Sequence, residues 1–307
     1  GWRLRKVLRG RDWTASDSFV FTMKPQGDAP MPIENPEAGI TSDGKGNLQA
    51  VVTAADGTAD GTQIFFGFGS ITYEQAGTYV YTVTENRPES LAGGMTYSEN
   101  VVTITVRVTD PGTGALEDTV SVNGTINNRT FYNDYEASLN HNAAGGIVTR
   151  KTLTGHVLTE GQFTFKVEAL AGDNTTAEEN AKRIGLKDGL FGEYKNVADE
   201  DNDGIAEMKT QNERAIAFTN NDIGKTFKYQ FSEQGADNQF GSGGTKNGYI
   251  YDDTIYTVEL WVTDDLDGTL TLHTKVTDQN GNETTTESNE TAEGYKETIL
   301  AFNNSYA

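Results

Sequence analysis

Short runs of alternating hydrophobic and polar residues recur along most of the chain. The clearest runs are rich in β-branched and aromatic residues, and Gly, Asp, Asn and Pro separate them: residues 19–21, 64–66, 79–83 and 101–108. This composition with a period of two is typical of β-strands. The hydrophobic pattern therefore predicts an all-β protein.

One segment carries helical signals instead. Thr175 and Glu178 have the spacing of a capping box, and Gly185 follows as a stop signal. The pattern predicts a short helix over residues 175–183, in a surface insertion of the second half of the chain.

Four strings of the first half return in the second half in the same order. Residues 19–21 correspond to 163–165, 77–85 to 225–233, 96–110 to 250–264, and 131–135 to 302–306. Such a repeat predicts two homologous domains, residues 1–136 and 147–307, joined by a short linker at residues 137–146. We expect the two domains to follow each other in an elongated arrangement.

Composition narrows the classes of function. The chain of 307 residues has 24 Lys and Arg against 45 Asp and Glu, which gives a formal net charge of −21. This charge repels phosphate backbones and anionic lipids, so we predict no nucleic acid partner. No apolar run approaches the length that spans a bilayer, so we predict no membrane insertion by this fragment of a longer protein. The absence of cysteine excludes disulfides and thiolate chemistry.

A lysine lies on the hydrophobic face of the first strand in each repeat. In the first repeat, Leu4, Lys6 and Leu8 alternate with basic residues, and Lys151 has the equivalent place in residues 147–153. Lysine is almost never fully buried without a partner. Each domain should therefore supply a partner for this side chain.

A glutamate and an asparagine in each repeat also lie on faces that read as core. Glu85 and Glu233 each end an alternating, mostly aromatic face, and Asn133 and Asn304 each lie between two aromatic residues of the last strand. Every domain thus places a Lys, a Glu and an Asn toward its interior, with the Lys on the first strand and the Asn on the last.

This trio suits one reaction. Burial lowers the pKa of a lysine and raises that of a carboxyl group, because it disfavours both charged forms. A neutral amine is a nucleophile, and a protonated Glu that hydrogen-bonds the Asn amide oxygen would make the amide carbon more electrophilic and then carry protons to the departing ammonia. The simpler alternative is a buried Lys–Glu ion pair with a hydrogen-bonded Asn, which returns little net stability. Repetition of the whole trio favours the crosslink.

The strings Lys-x-Leu-x-Gly-Arg, Tyr-x-Val-x-Glu and Phe-x-Asn-x-Tyr, in this order, resemble the isopeptide-forming domains of Gram-positive major pilins and surface adhesins. The resemblance covers nearly the whole chain twice, and it implies two tandem immunoglobulin-like (CnaB-type) β-sandwich domains. Three positions depart from the pattern: His156 replaces Arg, Phe231 replaces Val, and Asn303 lies beside Asn304. None of these departures removes a reacting group.

The resemblance also implies roles for the six residues. It assigns the crosslink partners Lys6 and Asn133 with the promoter Glu85 to the first domain, and Lys151 and Asn304 with Glu233 to the second. Each bond would form once, by self-reaction, so the protein would not be an enzyme, and it would require no cofactor.

The function implied by the resemblance is that of a structural stalk module in an extracellular, cell-wall-anchored pilin or adhesin. Its partners would be neighbouring domains of the same surface protein or other pilus subunits, with a host receptor or matrix as a further partner class. Two alternatives stay open. One is a ligand-binding adhesin region that uses the insertions at residues 175–207 or 234–248, and the other is a secreted glycan-acting enzyme.

An acidic loop in the second domain resembles a calcium site, with carboxylates at alternate positions and Gly204 for the turn. The predicted ligands are Asp199, Asp201, Asp203, the carbonyl of Ile205, and Glu207. The twelfth position is Thr210 where a helix-loop-helix site has glutamate, so the alternative is a solvated acidic turn. Calcium is therefore the one ion for which the sequence offers a candidate site.

Overall fold

The computed structural model describes residues 2–57, 63–122, 126–140, 146–209 and 217–307. The chain divides into two compact units, Gly1–Glu136 and Ala137–Ala307. Both are built from β-strands, so the prediction of an all-β protein with two tandem sandwich domains is confirmed. In the part of the chain that the structure describes, none of the helices combines the length and apolar character required to cross a membrane.

Within its described residues, the first unit has ten strands in two sheets. The strands are β1 (Leu4–Arg9), β2 (Ser18–Pro25), β3 (Ile40–Ser42), β4 (Leu48–Thr53), β5 (Gln63–Phe66), β6 (Gly77–Glu85), β7 (Met95–Thr96), β8 (Val101–Thr109), β9 (Glu117–Val122) and β10 (Thr130–Tyr135). Short 3₁₀ helices cover Pro36–Ala38, Ala54–Asp56 and Ile126–Arg129. The sheet orders are β5-β1-β10-β7 and β3-β4-β2-β6-β8-β9.

The first and last strands of this unit are parallel neighbours. Along β1 and β10, Lys6 lies opposite Phe131, and Leu8 lies opposite Asn133. Because alternate residues of a strand share a face, Lys6 and Asn133 point to the same side of the sheet, two positions apart. Phe21 of the other sheet packs against Phe131, with 4.9 Å between ring centroids, so this side is the core of the sandwich.

Thirteen strands and one α-helix form the described part of the second unit. The strands are β11 (Ser138–Asn140), β12 (Ile147–Thr154), β13 (Thr164–Leu170), β14 (Phe191–Lys195), β15 (Ile205–Lys209), β16 (Ala217–Thr219), β17 (Phe227–Glu233), β18 (Thr245–Lys246), β19 (Tyr249–Ile250), β20 (Ile255–Asp264), β21 (Leu270–Thr277), β22 (Glu283–Ser288) and β23 (Thr298–Tyr306). The α-helix is α1 (Ala177–Arg183), and a 3₁₀ turn covers Asn220–Asp222. The sheet orders are β15-β12-β23-β19-β18, β14-β13-β17-β20-β21-β22 and β11-β16.

The second unit repeats the arrangement of the first. Its strands β12 and β23 are parallel neighbours, and Lys151 lies opposite Phe302 while Leu153 lies opposite Asn304. The offset between Lys and Asn is therefore the same two positions as in the first unit. Rings of Phe165 and Phe302 pack across the two sheets at 5.2 Å.

The stretch predicted as a surface insertion, residues 175–207, is partly a component of the sandwich. Its β14 pairs with β13, and its β15 pairs with β12, as β4 pairs with β2 and β5 with β1 in the first unit. Within this stretch, α1 and the turns around it are additions to the plan of the first unit.

Part of the predicted linker also belongs to a sheet. In the pairing of β11 with β16, Leu139 lies opposite Phe218, and both side chains are buried. Burial of this pair holds residues 138–140 on the second unit, so the stretch is not a free connection. The linker residues 141–145 lie outside the described residues.

The helix begins later than predicted. Its N-cap is Thr176, whose hydroxyl oxygen accepts a hydrogen bond from Glu179 N–H while the Glu179 carboxylate accepts one from Thr176 N–H. The predicted capping residue, Thr175, instead donates to the Thr226 carbonyl at 2.6 Å. The predicted capping box was therefore wrong by one residue, because two adjacent Thr and two adjacent Glu give the same spacing twice.

Candidate crosslinking sites

The lysine of the first domain is fully buried against the predicted glutamate. Lys6 Nζ donates to Glu85 Oε1 at 2.5 Å and lies 4.5 Å from the centroid of the Phe19 ring. Burial lowers the pKa of Lys6 to about 8, although the nearby Glu85 carboxylate favours the charged form. The amine is thus much closer to neutrality than an exposed lysine is.

Asn133 lies in the same interior and is held through its oxygen. Its Oδ1 accepts a hydrogen bond from the main-chain N–H of Ser98 at 2.8 Å. Among the described residues, Asn133 Nδ2 and Glu85 Oε2 are buried and have no hydrogen-bond partner. Unsatisfied buried polar groups are costly, so the occurrence of both in this domain requires a physical reason.

The second domain brings its trio into direct contact. Lys151 Nζ lies 2.6 Å from Glu233 Oε1, and both side chains are fully buried. Asn304 Nδ2 donates to the same carboxylate oxygen at 3.2 Å. The centroid of the Phe163 ring lies 4.4 Å from Lys151 Nζ. In the first domain, the ring of Phe19 lies at nearly the same distance from Lys6 Nζ.

Burial shifts both titrating groups of this second site toward their neutral forms. It lowers the pKa of Lys151 to about 8, and it raises the pKa of Glu233 to about 7. Attraction between the two charges opposes both shifts but does not cancel them. Both groups are therefore much closer to their neutral forms at neutral pH than an exposed lysine and an exposed glutamate are.

The asparagine oxygen of the second site also faces the main chain. Asn304 Oδ1 accepts a hydrogen bond from Asp252 N–H at 2.8 Å. The sequence predicts a protonated Glu on this oxygen, whereas the structure directs the amide nitrogen toward Glu233. Of the two adjacent asparagines, Asn304 is buried and Asn303 is exposed, so only Asn304 is in place to react.

The two main-chain donors, Ser98 and Asp252, could not be predicted from residue type. Every residue except proline carries an N–H group, so a donor of this kind has no residue-type signature. The one usable signal was the repeat itself, because both residues follow the tyrosine of an equivalent string, Tyr97 and Tyr251. Both also follow a two-residue strand that pairs with the last strand of the domain.

The replacement of arginine by His156 preserves a contact at the end of the sandwich. In the first domain the Arg11 guanidinium lies 4.9 Å from the centroid of the Tyr135 ring. In the second domain the His156 ring packs edge-on against Tyr306 with the same 4.9 Å between centroids. The two side chains thus cover equivalent tyrosines of the last strand.

The predicted calcium ligands are only partly brought together. Carboxylate oxygens of Asp199, Asp201 and Asp203 lie within 4.8 Å of one another. Asp199 also accepts hydrogen bonds from the N–H groups of Asp203 and Gly204, at 3.2 and 2.8 Å, which stabilise the turn itself.

The other predicted ligands have different surroundings. Glu207 accepts a hydrogen bond from Arg150 Nε at 2.7 Å on the neighbouring strand, outside the aspartate cluster. Ile205 N–H donates to the Asp203 carboxylate at 2.8 Å, and Thr210 lies outside the described residues. Calcium binding by this loop stays a prediction.

Comparison with solved structures finds pilins. A major pilin of Streptococcus pyogenes is 15% identical and aligns over 99% of this chain and 97% of its own, with a TM-score of 0.33. The T-13 major pilin of the same species is 15% identical, with 100% and 97% coverage and a TM-score of 0.29. The major pilin subunit BcpA of Bacillus cereus is 11% identical, with 95% and 60% coverage and a TM-score of 0.15. TM-scores this low indicate loose superposition.

A comparison with curated protein sequences finds no match. A family model described as the Spy0128-like isopeptide containing domain, FctA, matches residues 2–136 and 147–307. This match confirms the predicted resemblance, with two tandem copies, and agrees with the prediction of a structural protein that is not an enzyme. The chain belongs to the FctA family of Spy0128-like isopeptide-containing domains.

Proposed function

We propose that this chain is a shaft module of a Gram-positive pilus or surface adhesin, and that a Lys–Asn amide bond locks each of its two domains. The observation that carries the proposal is the duplicated site. In both domains a fully buried lysine on the first strand meets a buried glutamate, and a buried asparagine lies on the adjacent last strand. We place Lys6–Asn133 and Lys151–Asn304 as the crosslinks.

The reaction balances without any external reagent. The neutral Lys Nζ attacks the Asn Cγ, and the bond from Cγ to Nδ2 breaks. The lysine nitrogen keeps one hydrogen as the N–H of the new amide, and its other hydrogen leaves with the NH2 group of the asparagine as one molecule of ammonia. The protonated Glu85 or Glu233 gives its proton to the departing nitrogen and takes up the proton that the attacking amine loses, so the acid is regenerated.

Two features of the sites favour the crosslink over a plain ion pair. A buried ion pair is stable only when its remaining polar atoms are also satisfied. In the described residues, Asn133 Nδ2 and one oxygen of each glutamate have no hydrogen-bond partner. Loss of Nδ2 as ammonia removes one of these unsatisfied groups, and conversion of the lysine to an amide removes a buried charge.

The proposal places the protein outside the cell, anchored to the cell wall, with other pilus subunits or further domains of the same surface protein as partners. A receptor or matrix of the host would then bind elsewhere on the assembly. A glycan-acting site is less well supported. A groove of about 670 Å³ on the first unit is lined, among the described residues, by a single carboxylate, Asp118. Another groove on this unit, of about 490 Å³, is lined by Glu99 and by Asp134, and Asp134 is paired with Arg9.

Intact mass tests the crosslinks directly. The purified chain should be lighter than its sequence mass by two molecules of ammonia, because each bond releases one. Glu85→Ala and Glu233→Ala should each restore the mass of one ammonia, apart from the substitution itself, and a peptide map should assign the loss to the altered domain. A wild-type chain at full sequence mass would overturn the proposal.

The rate of crosslinking in the second domain should have a bell-shaped dependence on pH. The reactive pair holds one proton, so the rate should be highest between the two pKa values, about 7 for Glu233 and about 8 for Lys151. Below this window both residues are protonated and the amine is charged, and above it the acid has lost its proton. The chain can be kept unfolded in urea from its synthesis onward, so that it has not yet crosslinked, and then diluted into buffers of different pH. The loss of ammonia is then followed by mass spectrometry. A rate that rises steadily with pH would contradict a role for protonated Glu233.

A further inference from the structure

We propose that the main-chain N–H groups of Ser98 and Asp252 act as oxyanion donors for the crosslinking reaction, one in each domain. This inference rests on the crosslinks proposed above and adds the group that stabilises charge on the reacting amide. The glutamate handles protons at the nitrogen atoms, and the main chain stabilises the oxygen. No side chain is required for the second task.

The two donors occupy equivalent places. In the first domain Ser98 N–H points at Asn133 Oδ1 over 2.8 Å, and in the second Asp252 N–H points at Asn304 Oδ1 over the same distance. The position follows from strand pairing. Thr96 of β7 pairs with Asp134 of β10, and the chain then continues past the buried asparagine next to it.

In the second domain the corresponding pair is Ile250 of β19 and Ser305 of β23. Both donors are two residues beyond the paired position. Equivalent short strands, β7 and β19, therefore place an N–H group against the equivalent asparagine oxygen in both domains, although the loops of the two domains differ in length. This agreement is what makes the contact a feature of the site, since a single loop contact could be incidental.

The main chain also fixes which way the amide points. An N–H group can only donate, so the atom opposite it must be the oxygen, and the amide nitrogen then faces the interior. In the second domain that nitrogen lies 3.2 Å from Glu233 Oε1. The leaving group is thus placed against the acid that protonates it, and the oxygen against the donor that stabilises it.

The donor is matched to the charge that the reaction creates. When Lys Nζ bonds to Cγ, the electron pair of the C=O bond moves onto Oδ1, which becomes an alkoxide. This pair returns to carbon as the bond to Nδ2 breaks and ammonia leaves. A donor already aimed at the oxygen needs no reorganisation, and removal of one such donor typically slows acyl transfer about 10²- to 10³-fold.

Side chains hold each donor loop against the last strand. The Asp252 carboxylate accepts hydrogen bonds from Asn303 N–H at 2.6 Å and from Thr254 N–H at 2.8 Å. In the first domain, Asn100 Nδ2 donates to the carbonyl of Thr130 at 3.0 Å. The chemistry of the tie differs between the domains, but in both it fixes the loop beside the strand that carries the reacting asparagine.

Replacement of a single amide by an ester removes one N–H group with little change in shape. Incorporation of the α-hydroxy analogue of the native residue at position 98 should slow crosslinking of the first domain about 10²-fold and leave the second domain at its normal rate. The same replacement at position 252 should have the opposite pattern. Ammonia loss from each domain is followed by peptide mass after dilution of the full chain from urea.

Two controls separate this effect from a general loss of folding. An ester at Gly44 removes an N–H that bonds Ser42 Oγ in an exposed turn, and it should leave both rates unchanged. Asp252→Ser retains the N–H and loses only the carboxylate, so its second domain should crosslink faster than that of the ester variant.

The outcomes are distinguishable. If both esters crosslink at the wild-type rate, or if Asp252→Ser is as slow as the ester, the inference is overturned while the crosslinks themselves stand. If the wild-type chain loses no ammonia, the proposed function fails first. Slowing confined to the altered domain supports the inference when that domain keeps its resistance to protease. A domain that failed to fold would lose this resistance.

Discussion

Pulled from its two ends, the wild-type chain should extend without unfolding either domain, whereas Asn133→Ala should add one unfolding step of about 440 Å. Positions 6 and 133 are 127 residues apart, and each residue of an extended chain adds roughly 3.5 Å. Asn304→Ala should release the 153 residues between positions 151 and 304, or about 530 Å. Single-molecule force spectroscopy on the full chain measures both lengths.

The physical reason lies in the parallel pairing of the terminal strands. Tension enters the first domain at the start of β1 and leaves at the end of β10, and these two strands are direct neighbours. A covalent bond from Lys6 to Asn133 carries the load from one strand to the other. The hydrogen bonds and core between them then bear no force, and the same holds for β12 and β23 of the second domain.

The force experiment has a matched control in the second domain. Asn303→Ala changes the exposed neighbour of the reacting asparagine and should leave the wild-type trace, with no unfolding step. Steps of about 440 and 530 Å in the wild-type chain would mean that the terminal strands are not tied, and the shaft function would lose its mechanical basis.

The interior positions of the six site residues could be predicted because strand faces are visible in sequence. Alternation placed Lys6 and Asn133 on core faces, and the repeat placed Lys151 and Asn304 with them. Contacts that depend on which strands become neighbours were harder to predict. The predicted ligand Glu207 pairs with Arg150 because β15 lies beside β12, and no local pattern reports which strand becomes a neighbour.

Other differences arose where two local solutions were equally good. Thr175 and Thr176 both suit a helix cap, and burial of Thr175 against the Thr226 carbonyl decided between them. The three-residue strand around Leu139 is held by Phe218, far away in sequence, so its short alternation was not distinctive. In each case the deciding contact was tertiary, and sequence periodicity describes only local geometry.

The second large effect should be thermal. Asn304→Ala removes the electrophile but retains Lys151 and Glu233, so it prevents the crosslink without leaving a buried charge alone. By analogy with disulfides, loss of a tie across 153 residues lowers the free energy of unfolding by about 5 kcal/mol. For a domain of this size the midpoint of the second domain should fall by roughly 10–20 °C, as measured by calorimetry.

Two further variants separate the crosslink from the ion pair. Glu233→Ala loses the tie and also leaves Lys151 buried without its partner, so its midpoint should be lower than that of Asn304→Ala, by a further free energy of about 3–5 kcal/mol. Asn303→Ala should match the wild type, and the first domain is an internal standard in every scan. If the site were only an ion pair, Asn304→Ala would cost no more than a buried hydrogen bond, about 1–3 kcal/mol. A small shift for Asn304→Ala beside a large one for Glu233→Ala would therefore contradict the crosslink, because the tie makes the asparagine as indispensable as the lysine it joins.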